Sequence, residues 1–422
     1  MTRQAGSPNV TIAAHGDRGG HRFLLTGPDE SEEPLILDVA DGDVLRHCTA
    51  GFARSVQRTL AFWRRPSRIP LQDAGTSLQQ LAAAGRVLLT SVLRNAREIH
   101  DELGVRMRRW CPTWGDEDGV VPVLHVQAGT PQWLPWELLP LFDLHWDDRV
   151  GDHTELWRAA RIFPGLSTVT ERAMERPGQA VGLRVSGGRL PLRYLWHAGY
   201  PGAQGELGFF RSRPAIALDG PYPGDDAPYP GTHSFARHLA DPGLGPDGRR
   251  MNHPHQVLHM SCHTTVTGDD REAANRLVFH LSSTAEREKA VEVEVEVHKV
   301  LADLIPAWAA APRTVGGLPF VFLNACSTAL HDPLTLRSLM EPFVKNRNPS
   351  VIGTVAQLPD RIAEYFSRRF YEALLGGRTV GESLHTAKWD LLQTRRNPVG
   401  LLYALYGVST LQVTPVPVSA AS

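Results

Sequence analysis

The chain has 422 residues, of which 42% are hydrophobic and 21% charged, and its formal net charge is −1. This length allows two or three globular domains, and the balanced charge gives no sign of nucleic-acid or anionic-membrane binding. The N-terminus lacks the apolar core of a signal peptide, and no run reaches the roughly 18–20 apolar residues of a membrane span. The four cysteines are widely spaced without a CxxC pair, which predicts reduced thiols in a cytoplasmic protein.

The N-terminal part is predicted to begin with strands and to continue with helices. Residues 9–40 hold three apolar runs separated by Gly, Pro and Asp, a pattern typical of strands and turns. Residues 44–64 and 76–106 carry apolar side chains at helical spacing, which predicts two helices. A short apolar run predicts a further strand over 120–126, and Trp136 lies in the apolar corner that follows it.

A domain boundary is predicted in the middle of the chain. Residues 199–252 are rich in Gly, Pro and Asp, and we interpret them as a long surface loop or a boundary. A predicted strand at 190–197 precedes this stretch, so the division is placed near residue 185. The result is an N-terminal region 1–185 with leading strands, followed by a C-terminal domain 186–422.

The C-terminal half alternates between predicted strands and helices. Its strictly alternating stretch of valine and glutamate predicts the second arm of a hairpin with one solvated face. This alternation favours the α/β class, with a mostly parallel sheet flanked by helices. The predicted elements are strands at 256–265, 318–324, 350–356 and 403–408, a hairpin at 276–297, and helices at 298–310, after Asp360 and after Thr379.

Two of these apolar runs end in small polar residues and lead to reactive side chains. The first run leads to His263, and the second leads to Cys326. Because the carboxyl ends of parallel strands share one edge of a sheet, the two side chains can meet there. They can do so although 63 positions (326 − 263 = 63) separate them. A cysteine nucleophile and a histidine that acts as its general base are sufficient for nucleophilic acyl transfer.

Other interpretations stay open for these residues. Cys326 could be a buried cysteine that packs as a small hydrophobe, and the histidines within 253–263 could indicate a metal site. On a regular strand His259 and His263 share one face while Cys262 points to the other, so the set does not converge on one ion. The sequence has no nucleotide-binding glycine motif and no Gly-x-Ser-x-Gly elbow. We therefore predict no cofactor and no metal.

Several motifs, in order, resemble those of the CHAT family of caspase-like cysteine peptidases. The resemblance extends over about residues 70–412 and is strongest after residue 255. It implies a caspase-like fold in which an N-terminal pseudo-protease-like half precedes the active half. The matching segments are Leu134-Pro135-Trp136-Glu137-Leu138-Leu139, Leu258-His259-Met260-Ser261-Cys262-His263, Phe322-Leu323-Asn324-Ala325-Cys326-Ser327-Thr328, Val351-Ile352-Gly353-Thr354, Phe370-Tyr371-Glu372-Ala373-Leu374-Leu375-Gly376-Gly377, Asn397-Pro398 and Leu405-Tyr406-Gly407.

The resemblance also implies roles for individual residues. Cys326 would be the nucleophile, and His263 would act as general base and general acid. The backbone N–H groups of Cys326 and Thr264 would form the oxyanion hole, although the family usually has glycine at the position of Thr264. Asn324 and Gln357 would line the substrate pocket. Because Asn324 is neutral where many relatives have Asp, we expect no strong arginine preference from this position.

The function implied by the resemblance is a cysteine endopeptidase that cleaves a protein substrate as a regulated bacterial defence or cell-death effector. Control would come from an activating partner protein or from self-association, and neither nucleic acid nor membrane is expected as a partner. Two alternatives stay open. One is a catalytically inactive CHAT-like scaffold, which Thr264 and the neighbouring Cys262 favour, and the other is an unrelated α/β hydrolase or metal enzyme.

Overall fold

The structure is a computed structural model that describes residues 8–17, 20–40, 42–64, 68–94, 96–112, 120–129, 134–142, 150–174, 182–224, 231–267, 276–284, 291–311, 317–324, 326–327, 340–356 and 358–414. The strands are β1 Val10–Asp17, β2 Gly20–Thr26, β3 Leu35–Val39, β4 Val123–Val126, β5 Val169–Arg172, β6 Leu183–Arg184, β7 Leu190–Trp196, β8 Ile216–Tyr222, β9 Val257–Ser261, β10 His263–Thr267, β11 Arg276–Ser282, β12 Glu292–Glu296, β13 Phe320–Leu323, β14 Cys326–Ser327, β15 Ser350–Thr354, β16 Tyr403–Gly407 and β17 Val413–Thr414. The helices are α1 Gly42–Trp63, α2 Leu71–Val92, α3 Ala96–Trp110, α4 His153–Ala160, α5 Pro164–Ser167, α6 Pro201–Ser212, α7 Gly231–Ala240, α8 Val297–Ala310, α9 Asp360–Leu375 and α10 Val380–Arg395, with 3-10 turns at Trp136–Leu138 and Pro398–Leu402.

These elements form two compact units. One unit contains the described parts of 1–175 and 381–410, and the other contains those of 176–329, 335–380 and 411–414. We call them the first and the second unit. The division of the chain near residue 185 that the sequence indicates stays a prediction.

The first unit is built on the strand order β3-β2-β1-β4-β5-β16. The three leading strands, which the sequence predicts as strands, form an antiparallel meander, and the strands that follow pair in parallel. In β3 the side chains of Leu35, Leu37 and Val39 are buried while those between them are more exposed, so this strand shows the period of two of a half-buried strand.

The stretch 76–106, which the sequence predicts as helical, contains parts of two helices, α2 and α3, rather than one continuous helix. Leu93 follows α2 in an extended conformation with φ −93° and ψ 125°. It forms a bridge with Val39, and the N–H of Arg94 donates to the carbonyl of Asp38 at 3.0 Å. The apolar periodicity continues across this break, so the sequence pattern did not reveal that the chain leaves the helix to pair with the end of β3.

The glutamate of the Pro-Trp-Glu-Leu segment in the first unit forms a buried ion pair. Arg172 donates from Nε to Glu137 Oε1 at 2.8 Å and from Nη2 to Glu137 Oε2 at 2.5 Å. Burial raises the pKa of Glu137, but the adjacent Arg172 outweighs it and holds this pKa below its ordinary value. Both side chains are almost fully buried, so removal of either would leave an uncompensated charge in the core. The motif therefore stabilises the fold of this unit.

The second unit is built on five parallel strands in the order β15-β13-β9-β7-β8. Every residue of β7, β9, β13 and β15 is buried, which is typical of parallel strands covered on both faces. Helices α6 and α9 pack against each other in this unit. The predicted α/β class, with a mostly parallel sheet flanked by helices, is confirmed.

The interpretation of 199–252 as a long loop is wrong, because this stretch contains α6, β8 and α7. Pro201 occupies the first turn of α6, where a missing backbone N–H costs no hydrogen bond. On the buried face of the same helix lie Glu206, Leu207 and Phe210. The high content of Gly and Pro obscures the helical pattern of α6, because its proline lies in the first turn and its glycines are tolerated within the helix.

A second, smaller sheet has the strand order β12-β11-β10-β14 and contains the predicted hairpin. Val293 and Val295 of β12 are buried while Glu292 and Glu294 are exposed, as the alternating pattern predicts. The strand expected over 256–265 is interrupted at Cys262, so that β9 belongs to the large sheet and β10 to the small one.

Among the described residues, Cys48, Cys111 and Cys262 do not form disulfide bonds. In the part of the chain that the structure describes, no helix combines the length and the apolar character needed to cross a bilayer.

Two buried histidines lie near a buried arginine in the second unit. Arg193 is fully buried and donates from Nε to Asp219 Oδ2 at 2.7 Å. Burial, reinforced by the charge of Arg193, lowers the pKa of His238 from 6.5 to about 4 and lowers that of His255 well below its usual range. Both imidazoles are therefore neutral in the folded protein near neutral pH.

We expect the second unit to lose stability as the pH falls from 6.5 towards 4. The unfolded chain takes up a proton at His238 near pH 6.5, whereas the folded chain resists it until about pH 4. The buried, neutral His238 alone then lowers the free energy of unfolding by about 3 kcal/mol between pH 6.5 and pH 4. The variant His238→Gln should lose correspondingly less stability in urea unfolding measured between these pH values. The exposed His253→Gln is the control, and an unchanged pH dependence in His238→Gln would contradict the assignment.

Candidate active site

The structure brings the backbones of His263 and Cys326 side by side. Strands β10 and β14 pair in parallel, with His263 opposite Cys326 and Thr264 opposite Ser327. Neighbouring strands lie about 4.8 Å apart, so residues in register on such strands are immediate neighbours. These two residues lie in the small sheet, just beyond the ends of β9 and β13, rather than on the large sheet itself.

Paired residues of the core strands β9 and β13 differ in residue number by the same amount as the two candidate catalytic residues. In the large sheet His259 pairs with Phe322, an offset of 63 (322 − 259 = 63), and Met260 pairs with Leu323. His263 and Cys326 differ by the same number (326 − 263 = 63). Where the chain bends between the sheets, the N–H of Asn324 donates to the carbonyl of Met260 at 2.8 Å. The bend therefore preserves the register of the core.

His263 is half-buried beside a cavity of about 630 Å³. The ring centroid of Tyr200 lies 6.0 Å from that of His263, and the ring of His280 lies at 5.9 Å. His197 lines the same cavity, where burial and the neighbouring His263 and His280 lower its pKa. The carboxylates of Glu292 and Glu294 form another part of the wall. The imidazole thus faces a space large enough for a substrate side chain.

Thr264 lies inside the small sheet, between Phe279 of β11 and Ser327 of β14, and its side chain is buried. Among the described residues the non-glycine positions with positive φ are Arg347 and Arg396. Thr264 therefore occupies the position after the histidine with extended backbone, which a β-branched residue adopts readily. Its role in an oxyanion hole stays a prediction.

Asn324 is directed into the core of the second unit. Its side chain is only 3% exposed, and its Nδ2 donates to Glu206 Oε1 at 2.6 Å. The substrate-binding role predicted for Asn324 stays a prediction. The same contact brings Glu206, which no sequence pattern indicates, to the end of β13. Gln357 lies outside the described residues.

His259 is a buried structural residue in this arrangement. Its Nδ1 lies 3.0 Å from the Tyr371 hydroxyl, its Nε2 lies 3.2 Å from Glu206 Oε2, and its ring stacks on Phe322. It is therefore separated from the half-exposed His263, although a regular strand would give both the same face. Within the described residues no three His, Cys, Asp or Glu side chains converge as a metal ion requires.

The mostly parallel α/β sheet described above agrees with the caspase-like fold that the family resemblance implies. Residues 238–407 match the model of the CHAT domain, which confirms for this part of the chain the family resemblance predicted from the sequence. A probable protease of Vitiosangium sp. is 34% identical over 97 residues, which are 22% of this chain and 13% of that relative. The chain thus matches only a small part of the length of this relative. Family and relative support a protease function.

Among solved structures, two crystal structures of the separase–securin complex of Saccharomyces cerevisiae are similar to this chain. Each has a TM-score of 0.38 and 10% sequence identity, and the matches cover 96% and 97% of this chain and 30% of that chain. The chain spans less than a third of those proteins, and the likeness is distant. The fold described above follows from the strand pairing itself.

The variant Asn324→Asp should be destabilised, because it brings a second carboxylate against Glu206 in the core. We expect a loss of at least about 2 kcal/mol near neutral pH in chemical unfolding. The pKa of the shared carboxyl pair would be raised, so the protonated form favours folding and the deficit grows as the pH rises. Asn324→Ala removes the hydrogen bond without adding charge and should show little of this pH dependence. A stable Asn324→Asp protein with altered peptide preference would instead support the pocket role.

Proposed function

We propose that the chain is a cysteine endopeptidase in which Cys326 and His263 form a catalytic dyad. The observation that carries this proposal is the register of their backbones on β10 and β14, within a CHAT domain and beside the cavity at His263. Residues in register on neighbouring strands have backbones about 4.8 Å apart, a spacing that an imidazole and a thiol can bridge by proton transfer. The proposed dyad needs no cofactor and no metal.

The proposed reaction proceeds through a thioester. His263 accepts the proton of the Cys326 thiol, and the thiolate attacks the carbonyl carbon of the scissile peptide bond. When the carbon–nitrogen bond breaks, His263 returns this proton to the leaving amine. His263 then takes a proton from a water molecule whose oxygen attacks the thioester carbonyl. The carbon–sulfur bond breaks, the carboxyl product is released, and the Cys326 thiolate recovers the proton from His263. The peptide would lie along the cavity lined by Tyr200 and His263.

The backbone N–H groups of Cys326 and Thr264 are the proposed donors to the oxyanion. One such donor contributes roughly 3–4 kcal/mol to the barrier in peptidases, so the local geometry of β10 and β14 would matter for the rate. Asn324 and Gln357 are the proposed pocket residues. Asn324 is buried and bonded to Glu206, which favours an indirect contribution to substrate binding: Asn324 would fix the position of the end of β13.

The biological role that the family supports is that of a regulated bacterial defence or cell-death effector acting in the cytoplasm on a protein substrate. Control by an activating partner protein or by self-association belongs to the same proposal. Comparing cleaved proteins by mass spectrometry in cells that carry wild type or Cys326→Ala would identify the substrate, because fragments of direct substrates should appear only with the wild type.

Both dyad variants should abolish peptide cleavage. Cys326→Ala removes the nucleophile and His263→Ala removes its base, and each should lower kcat/KM by at least about 10³-fold. The measurement is cleavage of a peptide library by the purified protein, with Cys48→Ala as the matched control that alters a cysteine of the first unit. Cleavage that survives Cys326→Ala would contradict the proposed nucleophile.

Alkylation by iodoacetamide separates the peptidase from the inactive scaffold. An active dyad should make Cys326 the fastest-reacting cysteine at neutral pH, and His263→Ala should slow this reaction because the thiolate is the reacting species. Mass spectrometry of the labelled peptides gives the rate for each cysteine. Equal and His263-independent labelling of Cys326 and Cys48 would favour the scaffold.

A further inference from the structure

Helix α6 carries a fully buried carboxylate, Glu206, that the proposed reaction does not use. Its Oε1 accepts hydrogen bonds from Asn324 Nδ2 at 2.6 Å and from the hydroxyl of Ser367. Its Oε2 lies 3.2 Å from His259 Nε2 and 3.3 Å from the Tyr194 hydroxyl. Both oxygens of this carboxylate therefore have several polar neighbours in the core of the second unit.

The neighbours of Glu206 belong to the two chain segments that lead to the proposed dyad. His259 lies on β9, four residues before His263, and Ser261 at the end of that strand also hydrogen-bonds the carboxylate. Asn324 follows β13 directly and precedes Cys326 by two residues. One carboxylate thus connects the end of the histidine segment to the end of the cysteine segment.

A rigid support holds this carboxylate in place from the opposite side. Ser367 and Tyr371 lie on α9, which packs against α6, and the Tyr371 hydroxyl contacts His259 Nδ1 at 3.0 Å. The Tyr194 hydroxyl on β7 donates to the carbonyl of Ala203 at 2.8 Å in the same helix as Glu206. The position of the carboxylate is therefore fixed by packed secondary structure rather than by a loop.

Glu206 is charged in this environment. Burial raises its pKa, but His259, with the hydrogen bonds from His259, Ser367 and Ser261, outweighs burial and leaves the pKa below the ordinary value of 4.5. Hydrogen bonds to an ionised acceptor are shorter and about twice as strong as neutral ones. The carboxylate can therefore hold several donors at once, which a neutral side chain of the same shape cannot do.

We propose that Glu206 is a positioning residue that carries the register of β9 and β13 across the bend to His263 and Cys326. At the bend Cys262 and Asn324 lie outside the strands, and the backbone bond from the N–H of Asn324 to the carbonyl of Met260 joins the two segments there. Glu206 binds both segments through His259 and Asn324 and so helps to keep the backbones of His263 and Cys326 in register. This role rests on the proposed function of the dyad.

The variant Glu206→Gln tests the proposal, because it keeps the shape and removes the charge. Displacement of reacting groups by about 1 Å can cost about 100-fold in rate, so we expect alkylation of Cys326 at neutral pH to slow by about 10- to 100-fold. The pH at half-maximal alkylation should rise, because a displaced His263 stabilises the thiolate less. With a cleavable peptide, kcat should fall while KM changes by no more than about twofold.

Two further variants separate positioning from stability. Glu137→Gln removes the charge of an equally buried and paired carboxylate in the first unit, and it should lower the melting temperature while leaving the alkylation profile of Cys326 unchanged. Ser367→Ala removes one donor to Glu206 without altering β9 or β13. Ser367→Ala should shift the pH profile of Cys326 alkylation in the same direction by a smaller amount. It replaces Glu206→Gln as the test variant if Glu206→Gln fails to fold.

The outcomes distinguish this proposal from the proposed function. A folded Glu206→Gln protein, or Ser367→Ala in its place, with the wild-type alkylation profile would overturn the positioning role if His263→Ala still slows alkylation. If His263→Ala also leaves the rate at Cys326 unchanged, the dyad itself is wrong. A slower and pH-shifted reaction in both Glu206→Gln and His263→Ala, with Glu137→Gln unaffected, supports the role of Glu206.

Discussion

The register between β9 and β13 is the constraint on which the candidate site depends. The same offset that pairs His259 with Phe322 (322 − 259 = 63) pairs His263 with Cys326 (326 − 263 = 63), so the core strands decide which residues meet beyond the bend. One inserted or deleted residue on either segment would move the two positions apart by about 3.3 Å along the strands. The proposed chemistry is thus set by pairing that takes place several residues earlier in the chain.

Apolar burial alone does not define this register. Every residue of β9 and β13 is buried, so a shift of two residues would exchange one buried side chain for another on the same face. Buried polar groups distinguish the observed register from the registers shifted by two residues. A shifted strand would leave His259 or Asn324 in the core without its bond to Glu206, at a cost of about 1–3 kcal/mol for each unpaired group. The buried hydrogen bonds therefore contribute specificity to a pairing whose stability comes from apolar surface.

The sequence predicts the parts of this fold in which a local pattern and the tertiary structure agree. The apolar runs at β9, β13, β15 and β16 and the alternating β12 are strands as expected, and their order indicates the parallel sheet. The stretch 199–252 is predicted as a long loop or a boundary, and the loop interpretation is wrong because its Gly and Pro content hides the apolar face of α6. His263 and Cys326 are predicted from motifs, and their backbones are in register, while their catalytic role stays a prediction. Glu206 was not found, because no pattern along the chain shows that one carboxylate meets two strand ends from a separate helix.

The contrast between His259 and His263 shows why residue type alone does not assign a role. The two imidazoles are four residues apart, which on one regular strand would give them the same face and the same environment. The interruption at Cys262 ends β9 and starts β10 in another sheet. His259 thereby stays in the core beside Glu206, where a charged partner and a tyrosine hydroxyl satisfy both ring nitrogens. His263 reaches the edge of a cavity, where an imidazole can exchange protons with a substrate. A break of one residue in a strand thus separates a structural histidine from a proposed catalytic one.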